Sequence, residues 1–238
     1  LYDTDHIPAY AKEGKPISGF YLYRTDGIFQ SDAEAEAWNA EHGTIVIVNG
    51  KEEWVGIQPN AKAGDIRFKE LDNNGVLDED DKEYCGTGIP KFETNLNFSA
   101  SYKGFDLSFS LSGVFGHKIY NGTALTYMNM NSLPDYNVMA DAPARNIKDQ
   151  TATDYWLEKG DYVNFDYLTV GWRVPLRAGA LLRAMRLAFT VNNLGTITGY
   201  SGLTPLINSS TADATLGVDD KRTYPLSRTY TLSLSLNF

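Results

Sequence analysis

The 238-residue sequence has one cysteine, Cys85, and three histidines. A single thiol makes no internal disulfide, so it says nothing of redox compartment, and a small buried apolar role is expected for it. His6, His42 and His117 stand far apart. None has the spacing of a zinc-binding pair, and no nucleophile-elbow pattern is present, so neither metal-hydrolase nor serine-hydrolase chemistry is expected. No apolar run approaches the ~20 residues that a membrane-crossing helix needs, which excludes helical spans and leaves barrels open. A dense Lys/Arg stripe is also missing. With 21 Lys and Arg against 30 Asp and Glu, the net charge is -9, which argues against a surface that tracks nucleic-acid phosphates. The chain starts at Leu1 without a basic stretch followed by an apolar core, so no signal peptide is expected within it, and a piece of a longer protein is.

What the sequence has in quantity is aromatic residues, 15 Tyr, 11 Phe and 4 Trp, together with 21 Gly, a composition suited to strands and turns. In "RTYTLSLSLNF" (228–238), Tyr230, Leu232, Leu234, Leu236 and Phe238 alternate with Thr229, Thr231, Ser233, Ser235 and Asn237. Such strict alternation marks a strand with different surroundings on its two faces. "MRLAFTVNNL" repeats the pattern over 185–194. In "DYVNFDYLTVGWRVP", Leu168, Val170 and Trp172 share one phase while Val163 and Phe165 hold the other, so a bulge is expected near Asp166, with Pro175 ending the strand. "FETNLNFSASYKGFDLSFSLSGVF" reads as two strands, 92–102 and 105–116, joined at Lys103-Gly104. Opposite their apolar stripes lie Asn95, Asn97, Ser99, Ser101, Asp106, Ser108, Ser110 and Ser112.

A soluble sandwich also alternates, because one face of each strand meets a core and the other meets water. Here the polar side is small Ser, Asn and Thr rather than the Lys and Glu that usually solubilise an exposed sheet. Small polar side chains suit a confined wet lumen. The five apolar side chains of the last strand contribute on the order of 7–15 kcal/mol if removed from water. Strands of roughly ten residues match a tilted membrane strand, and Tyr102, Trp172, Tyr230 and Phe238 lie near strand ends, where aromatic girdles are expected. Short links near 103–104 and 175–184 alternate with long ones near 117–161 and 195–228, as in a transmembrane barrel.

The N-terminal third reads differently. "GFYLYRTDGIFQ" holds one strand-like run; Ser31 and Glu34 are spaced as a capping box before a short helix ending near Gly43. "TIVIVNG" and "GDIRFKEL" read as short strands of an elaborated loop, and "CGTG" (85–88) as a turn before strand 92.

Several phrases, in this order, resemble the C-terminal part of SusC/RagA-like TonB-dependent outer-membrane transporters: "YRTDGIFQS", "AGDIRFKELDNNGVLDEDD", "GIPKFETNLNFSASYKGFDLSFSLSGVFGHKIYN", "DYWLEKGDYVNFDYLTVGW", "NNLGTITGYSGLTP" and "GVDDKRTYPLSRTYTLSLSLNF". The resemblance implies an all-β chain: the last segment, about six antiparallel strands, of a large transmembrane β-barrel with long extracellular loops. The whole protein would have about 22 strands around a plugged lumen. It also implies two parts: residues 1–91 hold a first strand and an elaborated extracellular loop, and 92–238 hold the closing strands and their loops. The implied partners are the remaining barrel and plug, a SusD-like surface lipoprotein, the TonB complex acting through a region outside this chain, the lipid bilayer, and an oligosaccharide or peptide cargo. Phe238 resembles the terminal aromatic that such barrels present to their assembly machinery. By the same resemblance, the location is the outer membrane of a Gram-negative cell, with the C-terminus periplasmic. Segments 25–91, 117–161 and 195–228 would then be extracellular. The other reading of the alternation is a soluble calcium-stabilised β-sandwich that binds carbohydrate.

"ELDNNGVLDEDD" (70–81) carries a further motif. With Glu70 at position 1, Asp72, Asn74, Gly75, the Val76 carbonyl, Asp78 and Asp81 fall at 3, 5, 6, 7, 9 and 12, the order of a calcium loop. Two residues depart from it: Glu70 replaces the usual Asp, and Asp81 replaces the longer terminal Glu. The other reading is an acidic solvated turn centred on Asn74-Gly75. Carboxylates so close along the chain do not make the paired geometry of a glycosidase, and no enzyme activity is expected. Trp156, Tyr127, Tyr136 and Tyr200 are aromatics able to stack on sugars, but packing of the loops themselves is the expectation for them.

Overall fold

The computed structural model describes residues 9–148, 151–177, 181–207, 216–221 and 223–238; His6 lies outside them. In chain order the strands are β1 (Ala9–Tyr10), β2 (Gly19–Ile28), β3 (Gly43–Val48), β4 (Lys51–Gly56), β5 (Ile66–Lys69), β6 (Lys82–Thr87), β7 (Phe92–Tyr102), β8 (Phe105–Phe115), β9 (Lys118–Asn121), β10 (Leu157–Lys159), β11 (Tyr162–Arg173), β12 (Ala184–Thr198), β13 (Val218–Asp219) and β14 (Thr229–Asn237). Helices are few and short: α1 (Asp32–Glu41), α2 (Gly122–Tyr127) and α3 (Ala142–Arg145). The chain divides into two units, the first made of Leu1–Ile89, Lys118–Glu158 and Ile207–Arg222, the second of Pro90–His117, Lys159–Leu206 and Thr223–Phe238.

The second unit is built on one antiparallel sheet of five strands in the order β14-β12-β11-β8-β7. Its pairings follow from the alternation, since a one-residue slip would turn every apolar side chain onto the polar face. Lys103 and Gly104 make the β7–β8 turn with φ of 47° and 88°, the left-handed pair that matches strand twist in a two-residue hairpin. The bulge expected near Asp166 is present: the register of β11 against both β8 and β12 shifts between Phe165 and Tyr167. The bulge takes up the extra residue, Asp166, so that Val163 and Phe165 share the apolar face with Leu168, Val170 and Trp172. Among the described residues, much of that face stays uncovered. Leu96, Phe98, Val170, Phe189, Leu232 and Leu234 are all exposed, Leu232 by 72%. Stacked rings reinforce it: Phe98 on Phe109 at 5.2 Å, Phe105 on Trp172 at 6.0 Å and Phe189 on Tyr230 at 6.3 Å.

β2 organises the first unit. The strand expected in "GFYLYRTDGIFQ" forms, but Gly19 to Leu22 are buried without alternation, and it pairs with β1, β5 and β6 rather than with the five-stranded sheet. Phe20, Leu22, Ile66, Tyr120, Trp156 and Val218 form its core. One expectation is corrected. Cys85 to Thr87 are not a turn but the end of β6, with Phe20 opposite Gly86 across a bulge. Cys85 is half-buried, and burial raises its thiol pKa, an effect that a hydrogen bond from Arg24 opposes. The helix α1 starts where expected: the Ser31 hydroxyl accepts from the Glu34 N–H at 3.1 Å. The return half of the box is displaced by one residue, since the Glu34 carboxylate accepts from the Gln30 N–H at 2.8 Å. β3 and β4 form a separate two-stranded hairpin. Asn39 of α1 fastens it, accepting with its backbone oxygen from Trp54 Nε1 at 3.1 Å.

Candidate functional site

On the polar face of the five-stranded sheet, small side chains form a connected network. At the bulge, Asp166 accepts from Ser110 Oγ (3.0 Å), Ser112 Oγ (2.7 Å) and Asn164 Nδ2 (2.7 Å). Asn95 donates to Ser110 across β7 and β8, and Thr196 donates to Asn164 Oδ1 at 2.7 Å from β12. Thr169 and Thr190 hydroxyls meet at 2.8 Å. Four strands are thus cross-linked by small polar side chains, and an extra residue in β11 is what brings a carboxylate to their centre. The sequence showed the phase change but not the network that uses it.

Nearer the Lys103-Gly104 turn, Asp106 of β8 and Arg186 of β12 form an ion pair, with Arg186 Nε to Asp106 Oδ1 at 3.0 Å. Between them on β11, Gly171 stands opposite both Asp106 and Ala188. A side chain there would lie 2.5 Å from Arg186 Nη2 and 2.6 Å from Asp106 Oδ1.

Of the residues read as a calcium loop, Glu70, Asp72 and Asp81 bring one carboxylate oxygen each within 4.8 Å of one another. Asp81 is fully buried; its two oxygens accept from the N–H groups of Leu71 (2.7 Å) and Asp78 (2.9 Å). Glu70 accepts from the Asn74 N–H at 2.7 Å, and Asp72 accepts from it at 3.0 Å. Asn74 and Asp78 meet the site less directly. The Asn74 amide turns its NH2 toward Asp72 (2.9 Å), and its oxygen accepts from the Val76 N–H at 2.7 Å. Asp78 is the cap of a short 3-10 turn and accepts from the Asp80 N–H at 2.8 Å. All donors are hard oxygens, the chemistry of Ca2+ or Mg2+. Ligation by Asn74 requires its amide to flip, because it presents a donor where an ion needs an acceptor. The loop is also tied to the hairpin. Gly75 has φ of 78°, and a Cβ on it would lie 2.5 Å from the Gly43 carbonyl oxygen at the start of β3.

Other side chains divide between packing and exposure. Trp156 and Tyr200 are buried, and Tyr127 meets Tyr136 edge to face at 6.0 Å, so these aromatics pack the loops. His117 is buried, its Nδ1 has no partner among the described residues, and Gly160 gives the ring its space. Burial lowers its pKa below the ordinary histidine value. An open cleft of about 450 Å³, lined by Gln58, Asn60, Asp65, Asn131 and Lys148, was not legible in the sequence, because its walls come from segments far apart along the chain.

No family profile matches the chain. Two curated relatives do. A TonB-dependent receptor P3 of Formosa agariphila is 26% identical over 243 residues, covering 95% of this chain and 23% of that protein. The TonB-dependent receptor SusC of Bacteroides thetaiotaomicron is 28% identical over 193 residues, covering 75% and 18%. The chain therefore spans about a quarter of the length of these relatives or less. Among solved structures, the RagAB peptide importer in its closed-closed state superposes with a TM-score of 0.62 at 18% identity, over 98% of this chain and 25% of that one. The open-open state gives 0.62 at 16%, over 100% and 24%. These superpositions establish the fold.

Proposed function

We propose, from the premise that this chain is a segment of a SusC-like TonB-dependent receptor, that it supplies five neighbouring strands to the wall of an outer-membrane transport barrel. The single observation that supports this most is the two-sided sheet. One face is apolar and exposed across all five strands, and the other is polar and bonded to itself. In water, the apolar face would be a large aggregation-prone patch; in a bilayer it is matched by hydrocarbon. A soluble calcium-stabilised sandwich needs a second layer over that face, and among the described residues the face remains exposed.

In this reading, β7 and β14 are not natural margins. Each has a neighbour on one side only within the sheet, and the remaining barrel supplies the missing pairs. The polar face lines the lumen, which the rest of the receptor plugs. The turn at Lys103-Gly104 is periplasmic, and residues 25–91, 117–161 and 195–228 lie outside the cell. A SusD-like lipoprotein covers that side and delivers an oligosaccharide or a peptide. TonB does the conformational work through a region outside this chain. The chain itself is a transport component and not an enzyme.

The loop 70–81 binds Ca2+ in the same reading, through Glu70, Asp72, Asn74, the Val76 carbonyl, Asp78 and Asp81. Its contribution is to hold the base of the hairpin 43–56.

The test of the main reading is a pair of substitutions in the complete receptor. Leu232→Arg places a cation in hydrocarbon and is expected to cost about 2–4 kcal/mol near mid-bilayer, read as loss of folded receptor from outer membranes. Ser233→Arg, one residue on, faces the lumen and should leave the folded yield nearly unchanged. Equal yields for the two variants would sink the reading.

A further inference from the structure

We infer that Arg173, at the turn end of the polar face, holds a carboxylate from the part of the receptor that lies outside this chain and fills the lumen. The inference rests on the proposed reading that the polar face lines the inside of a barrel.

Strand parity sets two arginines side by side. Past the bulge, Thr169, Gly171 and Arg173 of β11 share the polar face with Thr190, Ala188 and Arg186 of β12. Arg173 and Arg186 stand directly opposite each other in that register, and like charges so placed destabilise a sheet. One carboxylate is at hand, and it is taken: Asp106 of β8 accepts from Nε and Nη2 of Arg186, through one oxygen each. Arg173 is exposed, and no carboxylate among the described residues forms an ion pair with it. Its surroundings in the sheet have no other acid to offer. On the β8 side its N–H donates to the Gly104 carbonyl at 2.7 Å, so its neighbour there is a turn residue without a side chain. Ser235 of β14 stands opposite Arg186, and Ser101 of β7 stands opposite Asp106. The other acids of the five strands, Glu93 and Asp166, lie toward the far end, where Glu93 is opposite Val114 and Asp166 accepts from Ser110 and Ser112. The link 174–183 contains no acid.

Position decides where the compensating charge comes from. Further strands of a barrel attach beyond β7 and β14, whereas β11 is the middle strand of the five. A new neighbour in the wall therefore cannot bring an acid beside Arg173; only a group standing over the polar face can. The way in is open. Ser101, Gly104 and Gly171 are small, and a recess of about 120 Å³ at this end has Ser101, Gly104, Asp106 and Arg173 in its lining. Lys103, in the same turn, leans away, with Nζ 5.1 Å over the ring of Tyr102 on the apolar side. The two curated relatives have ample chain to reach in, since this chain covers 23% and 18% of them. A polypeptide offers its negative charge as carboxylates, and a guanidinium grips one with two parallel N–H groups, as Arg186 grips Asp106 next door. In a narrow lumen walled by low-dielectric material, such a pair is screened far less than on an open surface. Cargo is the weaker occupant, because in the proposed reading this is the periplasmic end, remote from the loops where cargo arrives.

The experiment uses the complete receptor, folded in bilayers, carrying Arg173→Lys, which keeps the charge and supplies an amine. A water-soluble carbodiimide condenses an amine with a carboxylate in contact with it, and peptide mass spectrometry locates the resulting amide. Position 173 should be joined to an Asp or Glu of the receptor outside this chain. Arg186→Lys, treated alike, should be joined to Asp106, which shows that the reagent reaches this face. Arg173→Gln should raise hydrogen exchange about tenfold in the segment that the amide identifies, and neutralising the joined acid as well should raise it no further. A heat-dependent gel shift confirms that each variant is still a folded barrel. Joining of position 173 to Asp106 alone, or to nothing while position 186 reacts, overturns the inference. So does joining to an added acidic peptide instead of the receptor, which would make this a cargo site, or additive gains in exchange from the two neutralised partners. If Leu232→Arg and Ser233→Arg differ in yield as expected and position 173 finds no carboxylate outside this chain, this inference falls alone; if those two yields are equal, the reading beneath it falls too.

Discussion

Arg186 reaches over Gly171 to hold Asp106, so an ion pair joins β12 to β8 across a strand that contributes only a hydrogen atom at the crossing point. The glycine is there for clearance. Gly171→Ala should separate the pair, as should Asp106→Asn, and each should lower the temperature of the heat-dependent gel shift of the complete receptor. Because both act on one interaction, the double variant should fall no further than the worse single one. Additive losses would show that Gly171 has another role.

Asp166 gathers three donors at the bulge. Asp166→Ala leaves Ser110, Ser112 and Asn164 without their common acceptor and is expected to cost about 1–3 kcal/mol, measured by urea unfolding of the receptor in bilayers. Deleting Asp166 should do no more harm than replacing it, because without the extra residue Val163, Phe165, Leu168 and Val170 alternate regularly with Asn164, Tyr167 and Thr169 and keep their partners on β8; a much larger loss on deletion would show that the bulge itself holds the sheet together.

His117 makes the base of a connection sensitive to acid. Burial lowers its pKa below the ordinary value of 6.5, so the unfolded form takes up a proton first as pH falls. Its contribution is complete above about 6.5, declines as pH falls from there toward the lowered folded value, and is constant below that. Proteolytic nicking near Gly160, whose N–H donates to the His117 carbonyl at 3.1 Å, should therefore increase between pH 7 and pH 5. His117→Gln should remove that dependence; a profile that stays the same would assign it elsewhere.

Gly75 sits where a left-handed backbone meets the Gly43 carbonyl. Gly75→Ala should destabilise the loop and hairpin by about 1–2 kcal/mol from backbone conformation alone, seen as faster hydrogen exchange in residues 43–56 and 70–81. If the loop takes Ca2+, adding it should slow exchange in both segments together, and Asp81→Asn should abolish the response. Protection of residues 70–81 without 43–56 would break the proposed link.

The five-stranded sheet was legible because each strand alternates apolar with small polar residues, and the shortest link, Lys103-Gly104, can do little but turn. Even the bulge announced itself, through the conflicting phases of Phe165 and Leu168. The first unit was harder to read. β6 ends in Cys85, Gly86 and Thr87, residues that look like a turn, and it is a strand because β2 lies beside it. The parallel pairing of Val218 and Asp219 with Tyr120 and Asn121 joins positions almost a hundred residues apart, and no local pattern signals it. In the acidic loop, the order of oxygen-bearing residues was visible. The amide orientation of Asn74 and the burial of Asp81 depend on packing and were not.

The ladder runs β7, β8, β11, β12, β14, in the same direction as the chain, with β9, α2, α3 and β10 inserted between β8 and β11 and β13 between β12 and β14. Going from the two-residue link at 103–104 to the long connection 116–161 adds only about 3 kcal/mol of closure entropy, at ~0.6 kcal/mol per doubling of length. Elaborate structure can therefore be spliced between rungs, enlarged or exchanged while the rungs keep their partners. Wiring of this kind lets the inserted segments diversify over an unaltered sheet.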